Sequence, residues 1–251
     1  MNVPVTKFTL ARLIVLTVGS FVAAFLLPAQ RFAVGAGAET AIAVLFGVTT
    51  AFLIQIAAER RRELFSTVFI ELNKLRRIYH ISKNLAGTAP RFRTWFTDLH
   101  GHIYAYLSAF SGRDLTQYKQ TNAAFRKVSY HIYTIPELET SKEEALFNDL
   151  LTTTGIVAES RQRIKELLIS RLSPYSWVVV LLMLVGFLIS VAVAFADTSA
   201  GRLVAGVEAG VALLAVDLLW ELDTMGSDLK SWAKRYVDNV GKLELGRKDD
   251  V

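Results

Sequence analysis

Cysteine is absent from the sequence, and its absence excludes disulfide bonds and metal sites built on thiolates. The four histidines, His80, His100, His102 and His131, are too dispersed to suggest a structural zinc site. The sequence also has no nucleophile motif, no phosphate-binding glycine loop and no cluster of metal ligands. We therefore predict that the protein is not an enzyme and has no cofactor and no metal. No stretch alternates apolar and polar residues long enough to suggest a sheet, which predicts an all-α fold.

Apolar residues are abundant: they make up 52% of the 251 residues, and the mean hydropathy is +0.35. They are concentrated in four runs, which predicts an integral membrane protein with four transmembrane helices. The formal net charge is +5, but the basic residues flank the apolar runs. A nucleic-acid partner therefore fits poorly, and the expected surroundings are a lipid bilayer.

The four predicted spans fall in two pairs, at 10–58 and at 174–222. Their apolar cores are Leu13–Leu27, Ala38–Ala58, Tyr175–Phe195 and Leu203–Leu219. The first run could instead be a secretory signal peptide, since small residues follow it at 33–36. We prefer a retained helix, because the run is long for a signal peptide and a second span follows at once. Short external turns at Pro28–Gly37 and Ala196–Arg202 would join the members of each pair.

The second span is predicted to continue as one helix from Ala38 to Ala86. No breaker separates its apolar half from the charged half that begins at Glu59. Phe65, Phe69 and Leu72 then recur at helical spacing, which indicates an amphipathic helix outside the bilayer. At about 1.5 Å per residue, such a helix would be on the order of 70 Å long.

Residues 59–173 are predicted to form a cytoplasmic helical domain between the second and third spans. Apolar spacing indicates helices at 91–110, 115–133 and from about 141 to 171, the last with an N-cap at Thr140. Residues 223–251 are predicted to be a basic, polar and partly helical cytoplasmic tail. Basic residues cluster at the inner ends of the spans, while the two short loops hold only Arg31 and Arg202. This distribution predicts a multi-pass protein of the plasma (inner) membrane with both termini cytoplasmic.

One face of the second span combines apolar and polar residues in a way that suggests a pore. Steps of three and four residues bring together Leu45, Val48, Phe52, Gln55 and Glu59. If several copies surrounded an axis, Phe52 would form an apolar constriction, with polar rings of Gln55 and Glu59 at its inner mouth. The alternative is ordinary helix packing inside one subunit, which the small residues Ala41 and Gly47 would allow.

Acidic residues in the fourth span are the other candidates for function. Glu208 lies about a third of the way into the span, where a charge is costly unless it faces a bundle interior or water. Asp217 and Glu221 share a helix face near the inner end, and Asp223 follows. A metal site is one interpretation of these carboxylates, and ion pairs with cytoplasmic arginines are the other.

Three segments resemble the bestrophin-like membrane proteins, a prokaryotic and plant family of unknown function that is distantly related to bestrophin channels. The first runs from Leu45-Phe46-Gly47 through the charged stretch Glu59–Glu63 to Glu71 and Tyr79. The second runs from Arg161 through Leu172-Ser173-Pro174 to Trp177 and Leu182, and the third is Asp217–Asp223. Thr224-Met225-Gly226 replace the proline and arginine often found after the aspartate, and the proline-rich pore neck and acidic calcium clasp of true bestrophins are not evident.

The resemblance implies a homo-oligomer, with a pentamer favoured, in which the second span lines an axial ion pore. It does not imply the permeant ion. A ring of Glu59 would favour cations, whereas Arg60, Arg61 and Arg62 at the same mouth would favour anions. Two other functions remain open: a stator-type subunit driven by ion flow, and a non-conducting membrane scaffold or sensor.

Overall fold

The structure is a computed structural model that describes residues 7–26, 36–194 and 198–245. Every regular element in these ranges is helical, and no strand occurs within them. The prediction of an all-α fold is therefore confirmed. The predicted turn at Pro28–Gly37 lies mostly outside the described residues, and so does part of the turn at Ala196–Arg202.

The described helices include one of unusual length, α2, which runs without interruption through Glu59 as its sequence predicts. In chain order the elements are α1 (Lys7–Leu26), α2 (Ala36–Thr88), α3 (Phe92–Ser108), a 3₁₀ helix (Leu115–Thr121), α4 (Asn122–Ile132), α5 (Ser141–Ile169), α6 (Pro174–Ala194), α7 (Ser199–Thr224) and α8 (Gly226–Leu245). Three stretches among the described residues are long and apolar enough to cross a bilayer, within Thr40–Thr88, Pro174–Ala194 and Ser199–Asn239. The described apolar part of α1, Ile14–Leu26, is shorter than these.

The chain divides into two compact units. Unit one contains the described residues of Met1–Glu59 and Arg171–Thr224, and unit two contains those of Arg60–Ser170 and Met225–Val251. Helix α2 contributes its first part to unit one and its second part to unit two.

Unit one is held together by apolar contacts and by close helix packing. Phe46 of α2 stacks on Phe187 of α6 with ring centroids 5.3 Å apart. Helices α1 and α7 meet at Gly206: a Cβ atom added there would lie only 2.9 Å from the Phe21 ring. One turn further, a Cβ at Gly210 would lie 2.9 Å from the Ser20 hydroxyl. Small residues four apart are typical of helices that approach closely in membranes.

Unit two is built around one apolar core to which every helix of the unit contributes. The fully buried members include Leu64 and Ile78 of α2, Phe92 and Ile103 of α3, and Ile164 of α5. Helix α8 adds an apolar face whose buried side chains are Leu229, Trp232, Ala233 and Tyr236. Most of the segment predicted to be a polar tail is therefore a helix, and one face of it belongs to this core.

The start of α5 agrees with its sequence, whereas the junction of α7 and α8 has an unusual backbone conformation. The Thr140 hydroxyl accepts a hydrogen bond from the Glu143 amide at 3.2 Å, and the Glu143 carboxylate accepts one from the Thr140 amide at 3.2 Å. This reciprocal capping box starts α5, so the N-cap prediction is confirmed. Between α7 and α8, Met225 adopts a positive φ of 52°, a conformation that costs energy for a side chain without a local hydrogen bond.

Candidate functional site

The predicted pore face of α2 is uncovered in the single chain. Leu45, Val48 and Phe52 have 59%, 65% and 62% of their surface exposed. Gln55 and Glu59 are also exposed. All five belong to the part of α2 that lies in unit one, and their spacing places them along one side of the helix. The structure therefore contains a continuous uncovered stripe that begins apolar and ends polar.

The remaining surface of this part of α2 includes a buried side. Phe46, Thr50 and Ala57 are buried, with Phe46 against α6 and Ala57 in a cluster with Val180 and Leu219. These contacts fix the rotation of α2 within unit one. Packing within the subunit therefore uses side chains other than the five of the stripe.

Two of the three arginines that follow the stripe are engaged within unit two. The Arg60 guanidinium donates a hydrogen bond to the Ser170 carbonyl at 2.6 Å. Arg61 forms an ion pair with Asp228 at the start of α8, with 2.5 Å between nitrogen and oxygen. Arg62 is exposed. The basic cluster read from the sequence is thus divided by the fold, since its members have different surroundings.

The acidic residues of α7 also have distinct surroundings. Asp217 forms an ion pair with Arg12 of α1, and Arg12 also approaches Glu221 at 3.9 Å. Of the two interpretations of these carboxylates, the ion pair with an arginine is the one present in the structure. Glu208 is half-buried and lies between the two glycines that contact α1.

Asp223 connects the end of α7 to the segment that leads into α6. Its carboxylate is buried and accepts hydrogen bonds from the Leu172 amide at 2.9 Å and from the Trp177 indole at 3.2 Å. The Trp177 ring also meets Trp220 edge to face, with centroids 5.3 Å apart. A buried carboxylate needs such donors, because burial without them disfavours the charged form. The aspartate at the helix exit therefore acts as a structural clasp in unit one.

The centre of unit two contains a buried carboxylate that three tyrosines surround. The Glu71 side chain is fully buried and accepts hydrogen bonds from the hydroxyls of Tyr118 at 2.5 Å and Tyr236 at 2.6 Å. The Tyr106 hydroxyl donates to it as well. Since these residues come from α2, α3, the 3₁₀ helix and α8, one acidic side chain connects four elements of the unit. We call Glu71, the three tyrosines and Arg161 the Glu71 cluster.

Arg161 supplies the opposite charge in the Glu71 cluster. Its guanidinium lies 3.4 Å from the Glu71 carboxylate and also donates to Asn122 at 3.0 Å. It stacks over the rings of Tyr106 and Tyr118, each 4.8 Å from the guanidinium carbon. A buried pair of opposite charges with several hydrogen-bond partners avoids the large cost of an isolated buried charge.

Burial and the nearby carboxylate change the acidity of these groups. Burial and then the Glu71 charge raise the pKa of Tyr106 well above its usual range, and the same two causes raise the pKa of Tyr118. Burial alone would lower the pKa of Arg161, but Tyr106, Tyr118 and Glu71 outweigh it and raise that pKa. Arg161 therefore stays charged, and both tyrosines keep their protons at any physiological pH.

Sequence patterns did not indicate the Glu71 cluster. Glu71 was named only in a segment that resembles a family, and Arg161 only there and among the basic residues before the third span. The tyrosines are 35, 47 and 165 residues away from Glu71 in the chain. One signal could have found Tyr236: Leu229, Trp232, Ala233 and Tyr236 recur at steps of three, one and three, the spacing of a buried helix face.

Known proteins resemble this chain at the level of a family and of a fold. The family model described as Bestrophin-like domain matches residues 8–224. Among solved structures, one described as the crystal structure of a membrane protein is 12% identical, with a TM-score of 0.66 over 95% of this chain and 99% of that one. A second with the same description is also 12% identical, with a TM-score of 0.64 over 93% and 98%. At this identity the likeness concerns the fold alone. No curated protein matches the sequence.

Proposed function

Because this chain belongs to the Bestrophin-like family, we propose that it is a subunit of an oligomeric ion channel. Copies of the chain surround one axis, with a pentamer as the favoured assembly, and α2 of each copy lines the pore. Leu45, Val48 and Phe52 form its apolar part, in which Phe52 is the constriction. Gln55 and Glu59 form polar rings at the inner mouth.

The uncovered stripe on α2 is the observation that carries this proposal. Its five side chains are exposed, while Phe46 and Ala57 on the same helix are buried against α6 and α7. A stripe that contains Gln55 is unsuited to lipid, because a polar group at membrane depth is costly unless it faces water or a bundle interior. Glu59 follows Gln55 at the inner end of the span. When copies of α2 surround one axis, the polar end of the stripe faces water at that axis. The apolar end of the stripe is then covered by the other copies.

The membrane arrangement that goes with this proposal has four spans. Helix α1 has 20 residues, about 30 Å of helix, and joins α2, α6 and α7 in the bilayer. Residues 59–173 lie between the second and third spans in the cytoplasm, together with 223–251. Both termini are cytoplasmic and the membrane is the plasma (inner) membrane, as the basic residues at the inner span ends favour.

The absence of cysteine from the natural chain permits a direct test of the pore lining. Single substitutions Phe52→Cys and Gln55→Cys would be purified, reconstituted into planar bilayers and treated with charged methanethiosulfonate reagents. If these side chains face a conducting axis, each modified variant loses current within the exposure time, because a charged adduct then occupies the pore. The unsubstituted protein stays unaffected, since it has no thiol.

The matched control is Leu182→Cys, an exposed residue of α6 that lies away from the stripe. Its current is expected to persist after the same treatment. Equal loss of current in Leu182→Cys would contradict α2 as the lining helix. An oligomer, measured by native mass spectrometry, that passes no current under varied pH and calcium would refute the channel and favour the non-conducting scaffold.

A further inference from the structure

A count of the charges at the inner end of the stripe does not decide which ions the proposed pore prefers. Glu59 is followed by three arginines, Arg60–Arg62, and then by Glu63, so a simple count favours anions by one charge. What matters for a permeating ion is which of these charges faces it and which is already engaged by the protein. Glu63 is paired with Arg163, and the other four residues differ in their exposure and partners.

Two of the arginines make side-chain contacts within unit two. Arg61 is paired with the carboxylate of Asp228, which cancels its charge at short range. Arg60 is held by the carbonyl of Ser170. A side chain committed to such a contact is not available to form a ring around an axis without first losing it.

Glu59 differs from these arginines because it belongs to the uncovered stripe. It follows Phe52 by two helical turns and Gln55 by one turn, on the same side of α2. The exposed Arg62 comes three residues later, about 4.5 Å further along the helix from the apolar ring. A charge closer to a narrow apolar ring acts through less water, and its field on an ion is therefore stronger.

We infer that the pore prefers cations over chloride and that Glu59 is the residue that sets this preference. The inference rests on the proposed function, since it needs copies of α2 around one axis. In that arrangement the Glu59 carboxylates form a negative ring two helical turns inward of the Phe52 constriction. Such a ring raises the local cation concentration and repels chloride, the device that cation channels use.

The test is the reversal potential of reconstituted channels under a potassium chloride gradient. We expect the unsubstituted protein to pass potassium in preference to chloride. Glu59→Gln should bring the permeability ratio toward one, and Glu59→Lys should invert it in favour of chloride. Glu159→Gln, which removes an exposed carboxylate of α5, should leave the ratio unchanged. Arg62→Gln should leave the cation preference intact or increase it.

A second variant keeps the test independent of folding effects. Glu59→Cys can be assembled first and then given a negative or a positive methanethiosulfonate adduct, because the chain has no other thiol. The negative adduct should restore cation preference, and the positive adduct should abolish it. A chloride preference in the unsubstituted channel overturns the inference but not the proposed channel. A permeability ratio that does not change with the charge at position 59 has the same consequence. Absence of current in every variant refutes the proposed function, and this inference with it.

Discussion

The two units differ in how many of their large apolar side chains they expose. In unit one, Val15, Leu182 and Val211 expose 68%, 68% and 61% of their surface. In unit two, large apolar side chains such as Leu64, Phe92 and Ile164 are fully buried, and far fewer are exposed, Ile169 among them. A protein in water rarely exposes apolar patches of that extent, whereas in a bilayer an exposed leucine meets a solvent of its own kind. The contrast indicates two solvents for one chain.

The two units also differ in where their paired carboxylates lie. Unit one places two of its carboxylates, Asp217 and Asp223, near the end of α7, where Arg12, Trp177 and a backbone amide supply partners. Unit two places a carboxylate at its centre and surrounds it with donors from three other elements and from Arg161. A core in water can use a buried charge to select one arrangement of helices, provided that every donor and acceptor is matched.

Loss of Arg161 should have the largest effect on the stability of unit two. Arg161→Ala leaves the Glu71 carboxylate buried without a counter-charge, and we expect a loss of about 3–5 kcal/mol in the free energy of unfolding. Urea denaturation of the full chain in detergent, followed by circular dichroism, measures it. Arg77→Ala removes an exposed ion pair with Asp149 and should barely change the midpoint. Equal effects of the two substitutions would mean that the Glu71 cluster contributes nothing special to unit two.

Truncation of one buried and one exposed aliphatic residue compares the two units directly. Ile164→Ala, at 0% exposure, should cost about 2–5 kcal/mol through lost burial and the cavity left behind. Leu182→Ala, at 68% exposure, should cost much less because lipid or detergent fills the space. Thermal unfolding in one detergent measures both. A large effect at Leu182 would show that this face is covered by another copy of the chain.

High pH should weaken unit two through its buried tyrosines. The folded-state pKa values of Tyr106 and Tyr118 are raised, so above pH of about 10 the unfolded chain releases protons that the folded chain keeps. The contribution of these tyrosines to the free energy of unfolding is therefore fully present below that pH. It declines above that pH by up to about 1.4 kcal/mol per tyrosine for each pH unit. Denaturation midpoints across this range measure the slope, and Tyr118→Phe should reduce it. A slope that Tyr118→Phe does not alter would rule out this tyrosine as its source.

Close packing between α1 and α7 should be the most sensitive point of unit one. Gly206→Ala places a methyl group where the Phe21 ring lies 2.9 Å away, and we expect a loss of about 1–3 kcal/mol. Gly186→Ala is the matched control, because nothing lies within 4 Å of the new atom. The control should be neutral or slightly stabilising, since alanine favours helix more than glycine does. If both variants melt alike, the α1–α7 contact is looser than this geometry requires.

Features encoded in neighbouring residues could be predicted, and those encoded across long separations could not. The apolar run at 38–58 and its charged continuation predicted one helix, and the Thr140 cap was visible because capping depends on residues three apart. The exposure of the α2 stripe needed the structure, since spacing reveals a face but not what covers it. The Glu71 cluster was invisible for the same reason: its parts meet only when five elements have packed.

The dependence of Glu71 on Tyr236 also sets an order for biosynthesis. The ribosome makes the carboxylate early, whereas its last hydroxyl partner is translated only after all the apolar runs have emerged. Until α8 is made, the acidic side chain must stay hydrated or find temporary donors, and the domain around it stays incomplete. The core around Glu71 therefore cannot be completed before all the apolar runs have been translated, and a premature stop before position 236 would leave Glu71 without one of its hydroxyl donors.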